Sequence, residues 1–415
     1  MEIDFLGGAG EVGRSAILIK DEKNILLDYG IKIDGKTEYP LPAPRVDAYI
    51  PSHAHLDHSG FAPALYKSGL PAAFGTEPTK QLAELLIEDS IKLNKRKHEK
   101  PKFTRTGLNA FLNRYVSYPY KADISFGNYG ISLHDAGHIC GSSVVVIEKK
   151  GRRIAYTGDL KLSRQLLHNG AEQIKCDILI TESTYAIKEH PNRDELVKSF
   201  IDSVRKTIEN GGIALIPVFA VGRAQEVIAM LHRNGLSQHM FIDGMARKAT
   251  AIVLEHPEFI SNPKLLADGV TAASIIDKKG FQRQNALEGG SIIVTTAGML
   301  NGGPVLDYIT RLNDRSMIFL TGYQAEHTNG RRLLDNMPLN IDGESYYVRT
   351  PFAFYDFSAH AGQEDLYKFA RDSGAEKIIC VHGDGESTTS FKDRLEMEGI
   401  EAYAPKVGEK LVFDF

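Results

Sequence analysis

His53-Ala54-His55-Leu56-Asp57-His58 places four side chains of metal-ligand type within six residues. Neutral imidazoles and carboxylates are what zinc takes where catalysis requires an open coordination position, whereas closed structural sites lean on cysteine. The i, i+2 spacing of His53 and His55 aims two rings the same way from an extended segment, and Asp57 and His58 can turn to a second metal beside the first. Gly8-Ala9-Gly10-Glu11-Val12-Gly13 has dinucleotide-binding spacing, but Ser15-Ala16-Ile17-Leu18-Ile19 after it reads as a strand, not as the helix whose N-terminus would meet a pyrophosphate. It is read as a Gly-rich hairpin turn.

The segments that must position these residues differ along the chain. Up to about Glu182, short β-rich runs alternate with glycines: 3–6, 15–19, 24–27, 46–50, 131–134, 143–148, 153–157 and 177–181. One helical pattern, at 78–97, interrupts them. Between about Tyr185 and Tyr347, apolar strands alternate with helices, which predicts a parallel, doubly wound α/β unit. After Tyr347 the first style returns, so the middle reads as an insert. The 415 residues suit two packed units, and the net charge of −4 excludes a uniformly basic protein that coats nucleic acid. Residues 91–105 nevertheless hold seven basic side chains against one acid, and Arg247-Lys248 and Arg331-Arg332 are smaller clusters. These are candidates for tracking the phosphates of a single strand. No run approaches the roughly 20 apolar residues of a membrane helix, so no membrane association is expected. Met1-Glu2-Ile3-Asp4 carries two acids and no basic stretch ahead of an apolar run, so no secretory signal is expected. Three scattered cysteines, at 140, 176 and 380, point to a reducing compartment and thus to the cytoplasm.

The His-x-His-x-Asp-His loop resembles the hallmark of the metallo-β-lactamase superfamily. Asp28 in Leu26-Leu27-Asp28-Tyr29-Gly30, His138 in Asp135-Ala136-Gly137-His138, Asp159 in Tyr156-Thr157-Gly158-Asp159 and His382 in Val381-His382-Gly383-Asp384 follow in the matching order. The insert resembles the β-CASP domain of nucleases such as RNase J and the endonuclease subunit of the cleavage and polyadenylation specificity factor. Its marks are Thr181-Glu182-Ser183-Thr184-Tyr185, Pro217-Val218-Phe219-Ala220-Val221-Gly222-Arg223, Thr296-Ala297-Gly298-Met299-Leu300 and Ser358-Ala359-His360. The wording is closer to the short archaeal and bacterial forms of the polyadenylation factor, without KH domains. The implied fold is an αββα sandwich, residues 1–185 and 347–415, with an inserted α/β β-CASP domain at 186–346.

The resemblance implies two Zn2+ per chain, with His53, His55 and His138 on the first, Asp57, His58 and His382 on the second, and Asp159 bridging. Asp28 would orient the loop from behind, since a metal-bound histidine needs a partner for its other nitrogen. His134 is set aside because the family ligand follows Ala-Gly. The family assigns the leaving-group proton to the histidine of Ser-Ala-His, here His360, oriented by Glu182, while Asp57 also accepts a hydrogen bond from the attacking hydroxide. Both lie at junctions of the insert, so closure of the two domains is expected to assemble the site. Arg223, Thr296, Gly298 and Ser358 are expected to contact substrate phosphate. His327 stands where relatives usually carry glycine. The expected activity is zinc-dependent hydrolysis of single-stranded RNA, as endonuclease, 5′-3′ exonuclease or both, in RNA processing or decay. A catalytically silent RNA-binding subunit and a small-molecule metallo-hydrolase of thioesterase or lactonase type are the alternatives. The closing segment, 410–415, reads as an edge strand able to pair two chains into a homodimer.

Overall fold

The computed structural model describes residues 1–34, 36–67, 69–96, 102–277 and 280–414. Lys97, Glu99 and Lys100 of the basic cluster and Phe415 of the closing segment lie outside them. The chain forms two compact units: 1–164, 169–189 and 360–415 make the first, 165–168 and 190–359 the second.

The first unit holds two seven-stranded sheets. One runs in the order Lys410–Val412, Glu2–Gly7, Ala16–Lys20, Asn24–Leu27, Ala48–Ile50, Ala72–Gly75, Tyr115–Ser117. The other runs Glu401–Tyr403, Lys377–Val381, Ile178–Glu182, Arg152–Tyr156, Ser143–Lys149, Tyr129–Asp135, Ile124–Phe126. Alternation sorts their side chains into layers. Ile3, Phe5, Ile17, Ile25 and Leu27 meet Leu133, Val145, Ile147, Ile154, Ile180 and Ile379 between the sheets. The opposite residues of the second sheet, Val144, Val146, Ala155, Leu179 and Ile378, pack on Leu366 and Phe369 of helix Gln363–Asp372 and on Phe391 and Leu395 of helix Gly385–Met397. On the outer face of the first sheet, the Tyr49 ring lies 5.8 Å from Phe111 of helix Arg105–Arg114. This is the αββα sandwich. Phe5 is fully buried between the sheets. Phe5→Ala should therefore lower stability by about 3–5 kcal/mol, read as a shift of the urea midpoint.

The Gly8–Gly13 stretch is a turn between antiparallel strands, Ile3 opposite Ile19. Two of the helices in the first unit that escape the sequence reading are held by side-chain caps. Gly385–Met397 starts Gly-Glu-Ser-Thr-Thr-Ser, in which all but Glu386 are of modest or poor helix propensity, and is set by Asp384, whose carboxylate accepts from Ser387 N at 2.7 Å. Arg105–Arg114 is capped in the same way by Thr104, whose hydroxyl accepts from Gly107 N at 3.1 Å.

The second unit contains a six-stranded sheet, all parallel, in the order Ser274–Ile275, Met240–Ile242, Ser291–Thr295, Ile213–Pro217, Met317–Leu320, Phe352–Phe354. Phe200 of helix Arg193–Glu209 packs on one face, 5.7 Å from Phe319, while Val305, Tyr308 and Ile309 pack with Leu215, Ile293 and Ile318. This is the doubly wound α/β pattern read from the alternation. Because Phe352–Phe354 pairs with Met317–Leu320, residues 347–359, read from sequence as returning core, belong to this unit. Among the described residues, no helix is long and apolar enough to cross a membrane.

Candidate metal centre

In each sheet of the first unit, the strands whose carboxyl ends carry polar groups run parallel. Asn24–Leu27 pairs in parallel with Ala48–Ile50, so Asp28 and the 52–58 loop emerge together. Arg152–Tyr156, Ile178–Glu182 and Lys377–Val381 are parallel too, delivering Asp159, Glu182 and His382 at one edge. His138 arrives from the turn after Tyr129–Asp135. Gly137 makes that turn possible: its φ is +68°, and a Cβ there would meet Lys161 O at 2.3 Å. Gly30 fixes the opposite wall, where a Cβ would fall 1.7 Å from Asp57 O.

All seven expected ligands come together within this unit. His53, His55, His138 and Asp159 present one set of ligand atoms within 4.8 Å of one another, and Asp57, His58 and His382 present a second. Asp159 divides between them. Its Oδ2 lies 3.5 Å from His53 Nε2 and 3.6 Å from His138 Nε2, while its Oδ1 lies 3.1 Å from both His58 Nε2 and His382 Nδ1. His134 stands apart, bound to Ser132 at 3.0 Å and Glu172 at 3.4 Å.

Asp28 sits behind the loop in the left-handed region, at φ +55°. It is fully buried and accepts from Ser52 N at 2.6 Å, Ser52 Oγ at 2.8 Å, Tyr156 OH at 2.7 Å and His58 Nδ1 at 2.7 Å. Holding the Nδ1 proton of His58 turns its Nε2 toward Asp159. Ser52 also meets His53 Nδ1 at 3.1 Å. Sequence reading missed Ser52 and Tyr156. The signal for Ser52 was its place beside the motif; nothing local marked Tyr156.

The electrostatics demand positive charge. Burial disfavours an imidazolium at His58 and His382, yet the surrounding carboxylates, Asp159 foremost, win: His58 is held well above the ordinary histidine range and His382 is pushed up to about 10. Burial and the neighbouring His58 keep His53 neutral, the form that ligates a metal. Among the described residues, His58 Nε2, His382 Nε2 and Asp159 Oδ1 are buried without a well-aligned hydrogen bond, although Asp159 Oδ1 stands at ion-pair distance, 3.1 Å, from His58 Nε2 and His382 Nδ1. Buried polar atoms in that state require a ligand of another kind. The donor set and its charge therefore fit divalent cations.

His360 closes the site. Its Nδ1 lies 3.1 and 3.0 Å from the two oxygens of Glu182, and its Nε2 is 3.7 Å from Asp159 Oδ2. Glu182, Asp159 and His360 satisfy the spacing of a further metal group. Both Glu182 oxygens are engaged by His360, however, and Oε1 also takes the Leu160 amide at 2.6 Å, which makes Glu182 an orienting group. Burial opposes charge on His360, but Glu182 and then Asp159 outweigh it and raise its pKa. The His360 side chain is 21% exposed while Glu182 is fully buried, so a substrate reaches the imidazole and not its partner. Both residues belong to the first unit and bond within it, and Ile178–Glu182 is an interior strand of its sheet. Lys161, which sequence reading also passed over, donates to His360 O at 2.8 Å and steadies that backbone.

The four expected phosphate contacts belong to the second unit and follow the carboxyl ends of its strands. Arg223 begins helix Arg223–Arg233 after Ile213–Pro217, Thr296 and Gly298 follow Ser291–Thr295, and Ser358 follows Phe352–Phe354. A Cβ on Gly298 would lie 2.9 Å from Phe219 N, so the loops holding Arg223 and Thr296 touch. His327 is the third residue of a turn closed by Thr328 N to Ala325 O at 3.4 Å, with φ +59°, a position that favours glycine.

Three family models match the chain: the metallo-beta-lactamase superfamily over residues 9–102, the Beta-Casp domain over 224–333, and the Zn-dependent metallo-hydrolase RNA specificity domain over 346–405. The chain is 35% identical to "Probable RNase MJ4" of Methanocaldococcus jannaschii, covering 99% of this chain and 100% of that protein. It is 33% identical to "RNase aCSPSF2" of Saccharolobus solfataricus, covering 99% and 85% respectively. A crystal structure of a protein of unknown function from Enterococcus faecalis superposes with a TM-score of 0.61 over 99% of both chains at 17% identity, a likeness of fold. With the donors ordered as this fold requires and full-length relatives above 30% identity, the chain belongs to the β-CASP family of the metallo-β-lactamase superfamily.

Proposed function

We propose that the protein is a metal-dependent ribonuclease that hydrolyses phosphodiester bonds of single-stranded RNA, as endonuclease, 5′-3′ exonuclease or both. The observation that carries the reading is the His360–Glu182 pair set against Asp159, beside two clusters of ligand atoms, one that includes Asp159 and one whose His58 and His382 lie 3.1 Å from its Oδ1. The names of both archaeal relatives and the RNA specificity model over 346–405 support RNA as the substrate class. His53, His55 and His138 would hold one zinc ion, Asp57, His58 and His382 a second, and Asp159 both. Bound there, two divalent cations would lower the pKa of a bound water and neutralise charge on the phosphoryl oxygens.

The chain's own residues do the rest. Asp57, whose side chain is 33% exposed, orients the attacking water by accepting its hydrogen bond. Glu182 fixes the Nδ1 proton of His360, which leaves the Nε2 proton for the ribose oxygen as its bond to phosphorus breaks. On the second unit, Arg223, Thr296, Gly298 and Ser358 would contact neighbouring phosphates. Three buried cysteines, scattered singly along the chain, suit a reducing compartment, and we place the protein in the cytoplasm.

A gel time course on end-labelled RNA carrying a 5′ hydroxyl or a 5′ monophosphate tests the reading and separates internal cutting from end trimming. Full activity after both chelation and His360→Ala would overturn it. Strand Lys410–Val412 forms the outer edge of its sheet, with Val412 71% exposed, and supports pairing of two chains there. A chain ending at Gly408 should then be monomeric by light scattering where the full chain is dimeric; an unchanged mass removes the pairing.

A further inference from the structure

Immediately after Glu182 the chain forms a short, tightly held loop, Ser183 to Glu189, within the first unit. Its backbone is closed by two turns, Ala186 N to Ser183 O at 3.2 Å and Lys188 N to Tyr185 O at 3.1 Å. Helix Gln363–Asp372 grips it from the other side: Gln363 N donates to Lys188 O at 3.1 Å and Glu364 N to Glu189 Oε1 at 2.6 Å. Ala186 is buried in the outer apolar layer. Tyr185 and Lys188 are among the side chains of this anchored loop that solvent reaches. The Tyr185 ring lies 6.0 Å from the His360 ring at 56°, and the exposed Lys188 ammonium stands 5.6 Å from the Tyr185 centroid.

This arrangement is more than the chemistry of proton transfer requires. His360 is already oriented by Glu182 and steadied by Lys161, so neither Tyr185 nor Lys188 is needed to hold it. Among the described residues, the groups near the imidazole include the carboxylates of Asp159 and Glu182 and the rings of His138, His382 and Tyr185. A polyanion approaching them gains from an ammonium at the rim, and a base needs a flat apolar face on which to rest.

We infer that Tyr185 and Lys188 form the seat for the nucleotide that carries the leaving oxygen, Tyr185 stacking its base and Lys188 pairing with the phosphate next along the strand. The inference rests on the ribonuclease reading and extends it to a subsite. Anchoring of the loop backbone pre-organises the seat, so little ordering cost falls on binding. Base stacking tolerates any base, so the seat predicts cleavage without marked preference at this position.

The test measures cleavage of a single-stranded RNA oligonucleotide by the zinc-loaded full chain, as kcat and KM, from low to moderate salt. Tyr185→Ala should raise KM about tenfold and Tyr185→Phe should not, because the ring and not the hydroxyl stacks. Lys188→Gln should flatten the slope of log affinity against log salt by about 0.7. An abasic nucleotide at the leaving position should weaken wild-type binding about tenfold and Tyr185→Ala no further, a coupling that a merely unfolded variant cannot produce. Equal losses in Tyr185→Phe and Tyr185→Ala, an unchanged salt slope, or additive effects of Tyr185→Ala and the abasic site would each overturn the seat. A wild-type protein that cleaves no RNA with zinc bound would instead defeat the ribonuclease reading itself.

Discussion

His360→Ala should lower kcat for RNA cleavage by about 10²–10⁴-fold while leaving zinc content and KM near wild type. The reasoning is geometric. His360 offers Nε2 toward Asp159 and has its Nδ1 held by a carboxylate that no solvent reaches. Its removal takes away the proton donor for the leaving oxygen but none of the seven proposed ligands. Glu182→Gln is the sharper probe. A raised imidazole pKa keeps the acid form populated at higher pH, and that form is lost as pH climbs through it. Losing the Glu182 charge removes the largest favourable contribution to that raised pKa, so the alkaline limb of the kcat profile should move to lower pH. A His360→Ala enzyme with wild-type kcat would mean that the leaving oxygen is protonated by something else. Loss of zinc in the same variant would mean that His360 is a ligand.

Much of this site was legible because its chemistry is local in sequence. Four donors in six residues need no fold to be noticed, and the doubly wound unit announced itself by strands alternating with amphipathic helices such as Arg193–Glu209. His138, Asp159 and His382 were legible only as an ordered set, since each alone is an ordinary loop residue. Other parts were written in no local pattern. Tyr156 looks like one more core aromatic on a buried strand, and its hydroxyl becomes important only because packing of the two sheets carries it to Asp28, 128 positions away, at 2.7 Å. Helix Gly385–Met397 was hidden by serines and threonines whose propensity a side-chain cap and an apolar layer override. His360 and Glu182 both stand near junctions of the insert, yet they meet inside the first unit. Sequence position shows where a chain crosses between units, while hydrogen bonding decides which unit a residue serves.

Asp159→Asn should cost more than about 100-fold in activity, and zinc content should fall below the two ions expected in the wild type. An outer partner of a metal ligand is worth that much, and Asp159 is proposed as the one donor common to both ions, with a separate oxygen facing each set. The amide keeps the volume but loses the charge and one acceptor. The metal-free protein gives an independent readout. His382 is raised from 6.5 to about 10 when folded, so it binds its proton more tightly in the native state than in the unfolded chain. That contribution to stability is complete below pH 6.5 and is lost as pH rises toward 10. His58 is raised in the same direction and adds to it. Asp159 is the largest favourable cause of both shifts. Chelated wild-type protein should therefore have a higher urea midpoint at pH 6.5 than at pH 9.5, and in Asp159→Asn that difference should shrink. Zinc affinity should run the other way, because cations require the unprotonated rings, and should weaken as pH falls. A variant that kept both the pH slope and full zinc content would show that Asp159 neither balances the imidazoles nor joins the two ligand sets.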